Sequence, residues 1–334
     1  MKALRLRGET TFAVWSRRAI SVPLIMTTFC IGWAASPVLL ILALVSDLVD
    51  LKRLPRTRAL LFFLLYLSCE TIGIVASLWV WLRAVVSKRA AGEFEETNFA
   101  LQRWFTGSIF RGAVRIFSIK VEQTGEPGEG PVLVMMRHAS TADTVIAGAL
   151  VATVNGPRLR YVLKRELLWD PCLDIVGRRL PNVFADRSGS RSDAEIAAVR
   201  NLAQVLSARD GVLIYPEGTR FSESQRVRAL EKLRERNDGL YELASKFTHV
   251  LPPKLGGPMA LLEALPTVDV LFLEHQGFEG ARSFGEFFRG GLVHATLRIR
   301  MRRVPAPSGT AAGGDLAQWL FAQWANVNAW VANA

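Results

Sequence analysis

Two long apolar stretches dominate the first quarter of the chain. Residues 20–46 contain no charged side chain, and residues 59–82 contain only Glu70. Each stretch is long enough to cross a hydrocarbon core of about 30 Å as a helix. The second stretch ends in Trp79 and Trp81, whose amphipathic rings suit the headgroup boundary. The pattern therefore predicts an N-terminal helical hairpin in a membrane.

This membrane segment has two alternative interpretations. A signal peptide would explain the first stretch, but that stretch exceeds the usual apolar length and a second one follows it. Pro23 and Pro37 lie inside the first stretch, where they could kink the helix or let the hairpin dip into the bilayer without crossing it. Basic residues flank both ends of the hairpin, which favours the cytoplasm for those ends and for the rest of the chain, although the connecting loop is basic as well, with Lys52, Arg53, Arg56 and Arg58.

From residue 91 onward the pattern changes to short β-branched runs that alternate with helical periods. Strands are expected at residues 131–136, 161–164 and 212–215. Such alternation predicts an α/β domain with a mixed sheet covered by helices. We therefore divide the chain into an N-terminal membrane hairpin, residues 1–90, and this α/β domain, residues 91–334.

Several helices of this domain are also predicted from their periodicity. Ser140 is a candidate N-cap for a helix that continues to residue 151. An amphipathic helix around residue 200 is expected to end at Gly211. The apolar spacing of residues 316–331 predicts a helix that is either part of the core or an interfacial anchor. The core is favoured, because the polar face of the helix carries no Lys or Arg for anionic lipid.

The charge balance narrows the class of partner. The chain has 41 Lys and Arg against 30 Asp and Glu, a net charge of +11, which attracts anionic partners. With a membrane hairpin present, an anionic bilayer explains this charge, and no nucleic-acid partner is expected. The three cysteines form neither a disulfide framework nor a zinc-spaced pair, which indicates a reducing compartment.

One histidine has the spacing of an acyl-transfer base. Among the four histidines, only His138 has an Asp five positions later, at Asp143. If His138 lies in the loop before a helix and Asp143 in its first turn, the carboxylate can orient the imidazole toward a hydroxyl. The alternative is that Asp143 only caps the helix together with Ser140. Backbone N–H groups around Ser140 are the candidate donors to a reaction oxyanion.

A second cluster follows the strand expected at residues 212–215. The tetrapeptide Glu-Gly-Thr-Arg occupies residues 217–220. Its glycine lets the backbone approach a ligand closely, and its arginine offers paired donors suited to a phosphate. The loop therefore favours anion binding, and the alternative is a plain turn in which the Glu and Arg pair with each other.

Together these motifs resemble those of the glycerol-3-phosphate and 1-acylglycerol-3-phosphate acyltransferases. The sequence RHASTAD at residues 137–143 resembles the first motif of that family, and YPEGTR at residues 215–220 resembles the third. Residues 161–167 with residues 184–187 resemble the second motif region, and residues 250–254 resemble the fourth. All four occur in the expected order along the chain.

The resemblance, which covers about residues 95–260, implies a role for each matching residue. His138 would be the general base, and Asp143 would orient it. The phosphate of the acceptor would be held by Glu217, Gly218, Thr219, Arg220 and Arg187. Candidate contacts to the substrate or the acyl donor are Lys164, Pro253 and Lys254. The family often has Asn in place of Arg137 and Phe in place of Tyr215.

The implied reaction moves a fatty acyl group from acyl-CoA or acyl-carrier protein to the free hydroxyl of 1-acylglycerol-3-phosphate, giving phosphatidic acid in phospholipid biosynthesis. No tightly bound cofactor and no metal are expected. Residues 255–257 are closer to the branch that includes lysophospholipid and lysocardiolipin acyltransferases, so another lysophospholipid is the alternative acceptor.

Two hypotheses from other classes of protein compete with the acyltransferase. A metal-dependent phosphoesterase would need three or more ligands around His138, and the sequence shows no such cluster there. A basic scaffold or nucleic-acid binder without catalysis would leave the ordered motifs unexplained.

Overall fold

The computed structural model describes residues 9–51, 53–88, 90–140, 142–185, 193–204, 206–281, 283–307 and 313–334 of the chain. The α-helices of these residues are α1 (Thr11–Val49), α2 (Pro55–Val86), α3 (Ala91–Phe117), α4 (Ile146–Leu150), α5 (Pro171–Gly177), α6 (Asp193–Leu202), α7 (Glu223–Arg234), α8 (Asp238–Ser245), α9 (Gly256–Ala264), α10 (Phe284–Phe288) and α11 (Gly313–Asn333). The strands are β1 (Lys120–Thr124), β2 (Val132–Met136), β3 (Arg158–Lys164), β4 (Val183–Ala185), β5 (Asp210–Ile214), β6 (Val270–Gln276) and β7 (Thr296–Val304). Short 3₁₀ helices lie at Ala142–Val145, Arg165–Trp169 and Glu279–Ala281.

The predicted N-terminal hairpin is formed by α1 and α2. Within the described residues, these are the two helices long and apolar enough to cross a membrane. Helix α1 runs through both prolines without a break. Pro37 has no N–H for the carbonyl of Trp33, and the Ser36 hydroxyl donates to that carbonyl at 2.8 Å instead. A hydroxyl thus replaces the hydrogen bond that proline removes.

Helix α2 packs closely on the remaining domain, whereas α1 is largely exposed. Gly73 of α2 lies against Cys172 of α5, and a Cβ atom on Gly73 would come within 2.5 Å of the Cys172 sulfur. Only glycine permits this approach. On α1, by contrast, large apolar side chains such as Leu24, Ile31 and Leu42 face outward. The hairpin therefore combines one face fixed to the domain with a continuous apolar surface.

Charged residues fasten the beginning of α1 to α5. The buried carboxylate of Asp174 accepts from Arg17 at 2.8 Å, from Arg18 at 2.5 Å and from Arg178 at 2.7 Å. Glu9 pairs with both Arg17 and Arg178. Because three guanidinium groups meet one buried carboxylate, this end of the hairpin is held in a defined position on the domain.

Seven strands of the described residues form one mixed sheet in the order β1, β7, β6, β2, β5, β3 and β4. Strands β2 to β6 are parallel, β7 is antiparallel to β6, and β1 is parallel to β7. Strand β2 is buried along its whole length. One face of the sheet is covered by α3 and α4, and the other by α6, α8, α9 and α11. The predicted mixed sheet with helical cover is therefore confirmed.

Individual predicted elements agree with the structure to within a few residues, with two exceptions. The C-terminal helix α11 is a core helix, since Leu320, Trp324 and Val327 are fully buried. The prediction that Gly211 ends a helix is wrong, because α6 ends at Leu202 and Gly211 lies in β5. A Cβ atom on Gly211 would come within about 3 Å of neighbouring strands, so close strand packing explains the glycine.

The second exception concerns Ser140, which does not cap a long helix. The chain instead forms the 3₁₀ helix Ala142–Val145 followed by the single-turn helix α4. The side chain of Asp143 accepts from the backbone N–H groups of Ala139 and Ser140, at 2.7 and 2.8 Å. That carboxylate folds the preceding backbone into a tight loop, and its contact with the Ser140 N–H is the one that the third residue after an N-cap makes in a capping box.

Candidate active site

The predicted motif residues meet where β2, β5 and β6 end side by side. These strands are parallel and β2 lies between the other two, so the loops that follow them leave the same edge of the sheet. The backbone N–H of Phe221 donates to the carbonyl of His138 at 3.0 Å, which joins the first and third motifs. The N–H of Lys254 donates to the carbonyl of Pro216 at 2.9 Å, which joins the fourth motif to the third.

The structure brings His138 and Asp143 into direct contact. Nδ1 of His138 lies 3.1 Å from Oδ1 of Asp143. His138 lies in the loop after β2, as its spacing from Asp143 required, and only a small part of its side chain is exposed. The ring of Tyr215 packs against the imidazole, with centroids 4.8 Å apart. The imidazole is therefore held on two sides.

The hydrogen bonds around Asp143 keep its carboxylate ionised. Burial alone favours the neutral acid, but the hydrogen bond from His138 and the N–H of Ser140 hold the pKa of Asp143 below its usual value. An ionised Asp143 accepts, so His138 must donate from Nδ1. In the neutral imidazole, Nε2 is then the nitrogen without a proton, and it can take one from a hydroxyl.

Glu217 faces inward and connects two loops. Its Oε1 accepts from the N–H of His138 at 3.0 Å, and its Oε2 accepts from the N–H of Leu251 at 3.0 Å. Burial raises the pKa of Glu217 to about 7, although Arg137 and the two N–H groups act in the opposite direction. Both oxygens are thus engaged with backbone, which holds the loop of His138 against the fourth motif.

The cationic side of the site lies beside Gly218. This residue has a φ of +65°, in the left-handed region that glycine tolerates best. A Cβ atom there would lie 2.8 Å from Cδ, Cε and Nζ of Lys254, so the lysine side chain passes directly over the glycine. Thr219 is half-buried and Arg220 is exposed in the same loop. Two cationic side chains therefore extend from neighbouring loops.

The other residues predicted for the site are Lys164, Pro253, Lys254 and Arg187. Lys164 ends β3, at the same edge of the sheet as the other motifs. Pro253 is buried, whereas Lys254 beside it is exposed. Arg187 lies outside the described residues.

Sequence reasoning missed a buried group next to this dyad. Arg137 donates to the carbonyl of His275 at 2.7 Å, to Glu279 at 2.9 Å and to the carbonyl of His249 at 3.2 Å. Nε2 of His275 lies 3.5 Å from Oδ2 of Asp143. The available signal was a polar pair, Glu274 and His275, at the carboxyl end of an otherwise apolar strand.

The expected oxyanion donors around Ser140 are corrected by the structure. The N–H groups of Ala139 and Ser140 both donate to Asp143, so they are already engaged. In the part of the chain that the structure describes, no three side chains of His, Cys, Asp or Glu come together as a group that could hold a metal ion.

Known proteins that resemble this chain indicate the class of enzyme. The family model described as Acyltransferase matches residues 118–259, a segment that runs from just before β1 into α9 and includes His138, Asp143 and the Glu217 loop. Residues 118–259 therefore match an acyltransferase domain, which supports an acyltransferase enzyme.

Two further comparisons were made. The crystal structure of the 1-acyl-sn-glycerophosphate (LPA) acyltransferase PlsC from Thermotoga maritima is similar with a TM-score of 0.43 and 16% sequence identity, covering 77% of this chain and 95% of that chain. No curated protein matched the chain.

Proposed function

We propose that this acyltransferase moves a fatty acyl group from acyl-CoA or acyl-carrier protein to the free hydroxyl of 1-acylglycerol-3-phosphate, giving phosphatidic acid in phospholipid biosynthesis. The observation that carries the proposal is the contact between His138 and Asp143 at 3.1 Å, beside a loop that ends in Arg220. A base and a cationic group at one edge of the sheet suit a hydroxyl acceptor that also carries a phosphate.

The proposed chemistry follows from the protonation states of the dyad. Nε2 of His138 takes the proton of the acceptor hydroxyl while the hydroxyl oxygen attacks the thioester carbonyl carbon. The carbonyl electron pair moves onto oxygen, and its return breaks the carbon–sulfur bond. The departing thiolate then takes the proton from His138, which restores the enzyme. Asp143 stabilises the imidazolium that exists between the two transfers. No bound cofactor is needed for this sequence.

The roles proposed for the third-motif residues differ from one another. Arg220 and Lys254 supply positive charge near Gly218, and the resemblance adds Arg187 to this phosphate site. Glu217 would repel a phosphate if it were exposed to one, and its two backbone contacts support a positioning role instead. We therefore assign phosphate binding to the cationic groups and loop geometry to Glu217.

The hairpin supports a location at an anionic membrane. Apolar side chains cover the outward face of α1, and basic residues flank the hairpin. We propose that residues 1–90 form the membrane hairpin and residues 91–334 the catalytic domain, with that domain facing the cytoplasm. A lysophospholipid acceptor would then reach the site from the same bilayer that holds the hairpin.

The test is transfer of a labelled acyl group by the purified full-length protein in lipid vesicles. Acceptors are 1-acylglycerol-3-phosphate, lysophosphatidylethanolamine, lysocardiolipin and glycerol-3-phosphate. We expect the highest kcat/KM with 1-acylglycerol-3-phosphate, and a loss of at least about 100-fold in kcat for His138→Ala. His294→Asn is the matched control, because His294 is exposed and adopts a left-handed φ that Asn tolerates.

Three other outcomes of this assay would each contradict a different part of the proposal. A preference for lysocardiolipin or lysophosphatidylethanolamine would support the alternative acceptor and overturn the proposed one. Full activity in His138→Ala would overturn the proposed base. Phosphate release without acyl transfer, abolished by a chelator, would favour the metal-dependent phosphoesterase.

A further inference from the structure

His275 is completely buried and lies near Oδ2 of Asp143, whereas His138 contacts Oδ1. Its Nε2 is 3.1 Å from the carbonyl oxygen of Arg137 and 3.5 Å from Oδ2 of Asp143. The carboxylate thus lies between two imidazoles, one from the loop after β2 and one from β6. Only the first of these belongs to the motif that the sequence reveals.

The contacts of His275 determine its protonation state. A carbonyl oxygen can only accept, so Nε2 must carry the proton. Nδ1 is buried without a hydrogen-bond partner, and a proton there would be an unpaired buried donor. Burial, assisted by the nearby Arg137 guanidinium, lowers the pKa of His275 despite the opposing charge of Asp143. His275 is therefore neutral, and its Nε2–H, which donates to the carbonyl of Arg137, lies 3.5 Å from Oδ2 of Asp143.

From this geometry we infer that His275 is a positioning residue for the acyl transfer, with its Nε2–H fixing the loop of His138 and partly neutralising Asp143. The inference rests on the proposed function, because it assigns a purpose to the base dyad proposed there. His275 itself touches neither substrate nor reacting atoms. Its N–H acts through Oδ2 of Asp143 and through the carbonyl of Arg137, which directly precedes His138.

The polar and charged groups around His138, Asp143 and His275 come from three segments, which follow β2, β5 and β6. Arg137 donates to the carbonyl of His275 and to Glu279, which lies in a 3₁₀ helix after β6. Tyr215 and Glu217 approach the dyad from the loop after β5. The positive charge of Arg137 and the negative charge of Glu279 offset each other, so the N–H of His275 is the polar group that faces Asp143 from β6.

Loss of the His275 N–H should shift the pH profile of kcat/KM in a defined direction. Without it, the negative charge of Asp143 is stabilised less by its surroundings and more by His138. The protonated form of His138 then becomes more favourable, so the base is lost at higher pH. The acid limb of the pH profile of kcat/KM therefore moves upward, whereas a merely structural defect would lower activity without moving it.

The experiment compares His275→Leu, which removes the donor, with His275→Gln, which carries an amide N–H at a similar distance from the backbone. The assay measures kcat, acceptor KM and the pH profile in vesicles containing 1-acylglycerol-3-phosphate. For His275→Leu we expect kcat about tenfold lower, acceptor KM within about twofold, and an acid limb higher by about half a pH unit. His275→Gln should keep the wild-type limb, as should the control His294→Asn.

A second measurement does not depend on how the variants fold. Nitrogen NMR of the histidine-labelled wild-type protein should show His275 protonated at Nε2 and unprotonated at Nδ1 throughout the active pH range. A charged His275, a proton on Nδ1, or equal pH profiles for the Leu variant and the wild type would overturn the inference. If His138→Ala is inactive while both His275 variants match the wild type, only this inference fails. If His138→Ala stays active, the proposed base fails and this inference with it.

Discussion

Replacing Asp143 with Asn should reverse the tautomer of His138 while leaving the fold intact. Oδ2 of Asp143 accepts from two backbone N–H groups, at 2.7 and 2.8 Å. The oxygen of Asn must face these donors, because the opposite orientation would leave both of them buried and unpaired at about 1–3 kcal/mol each. The amide NH2 therefore faces Nδ1 of His138, which can only accept from it. The imidazole proton moves to Nε2, the atom that should receive the acceptor's proton.

The expected loss in kcat equals the contribution that general base catalysis makes to the rate. General base catalysis contributes about 100-fold to 10,000-fold, which corresponds to roughly 3–5 kcal/mol of barrier. We expect kcat of Asp143→Asn to fall by this factor, with acceptor KM and thermal stability close to the wild-type values. The assay is labelled acyl transfer to 1-acylglycerol-3-phosphate in vesicles, together with nitrogen NMR of His138 to observe the tautomer.

A matched control is Asp269→Asn, since Asp269 forms a partly exposed ion pair with Arg303 just before β6, at the opposite edge of the sheet. This variant should keep wild-type kcat. The reasoning is refuted if folded Asp143→Asn retains kcat within about fivefold of the wild type. It is also refuted if the NMR spectrum still places the proton of His138 on Nδ1.

Three further predictions concern the third motif. The pKa of Glu217 is about 7 in the folded protein and lower in the unfolded chain. At pH values between these two pKa values, the folded protein therefore binds more protons than the unfolded chain. The free energy of unfolding should then fall by up to about 1.4 kcal/mol per pH unit as the pH rises toward 7. Glu217→Gln should flatten this slope in denaturation experiments, and an unchanged slope would contradict the assignment. Gly218→Ala should lower the free energy of unfolding by about 1–2 kcal/mol, because residue 218 has a left-handed φ. The added Cβ atom should also displace the Lys254 side chain and raise the KM for the acceptor. An unaltered KM would argue against a role for Lys254. Arg220→Lys should raise acceptor KM several-fold through loss of paired donors, with kcat changed little, and equal KM values would count against phosphate binding there.

Features set by local pattern were predicted correctly from the sequence. The two apolar stretches became α1 and α2, and the expected strands became β2, β3 and β5 with small shifts of boundary. The burial of α11 followed from apolar residues at helical spacing. In each case the determining signal lies within one segment, since hydrophobic periodicity reports the environment of the residues that carry it.

Local pattern failed where other contacts of the folded chain overrode it. Gly211 has the chemistry of a helix end, but close packing between strands explains its place in β5. Ser140 has the chemistry of an N-cap, but the Asp143 carboxylate takes the backbone N–H groups around it. The phosphate role that the resemblance implies for Glu217 stays a prediction, and the structure adds that its two oxygens contact backbone groups 79 and 34 positions away in the chain.

The sequence by itself predicted that His138 and Asp143 can meet, because the strand expected to end at residue 136 places the histidine in a loop and the Asp in the turn that follows. It also determined the apolar hairpin, through length and composition alone. Only the tertiary structure decided that His275 faces the same carboxylate, since the contact between Arg137 and His275 spans 138 positions and exists because β6 pairs with β2. Strand order is a property of the whole sheet, and no segment of the sequence records which distant strand will lie beside it.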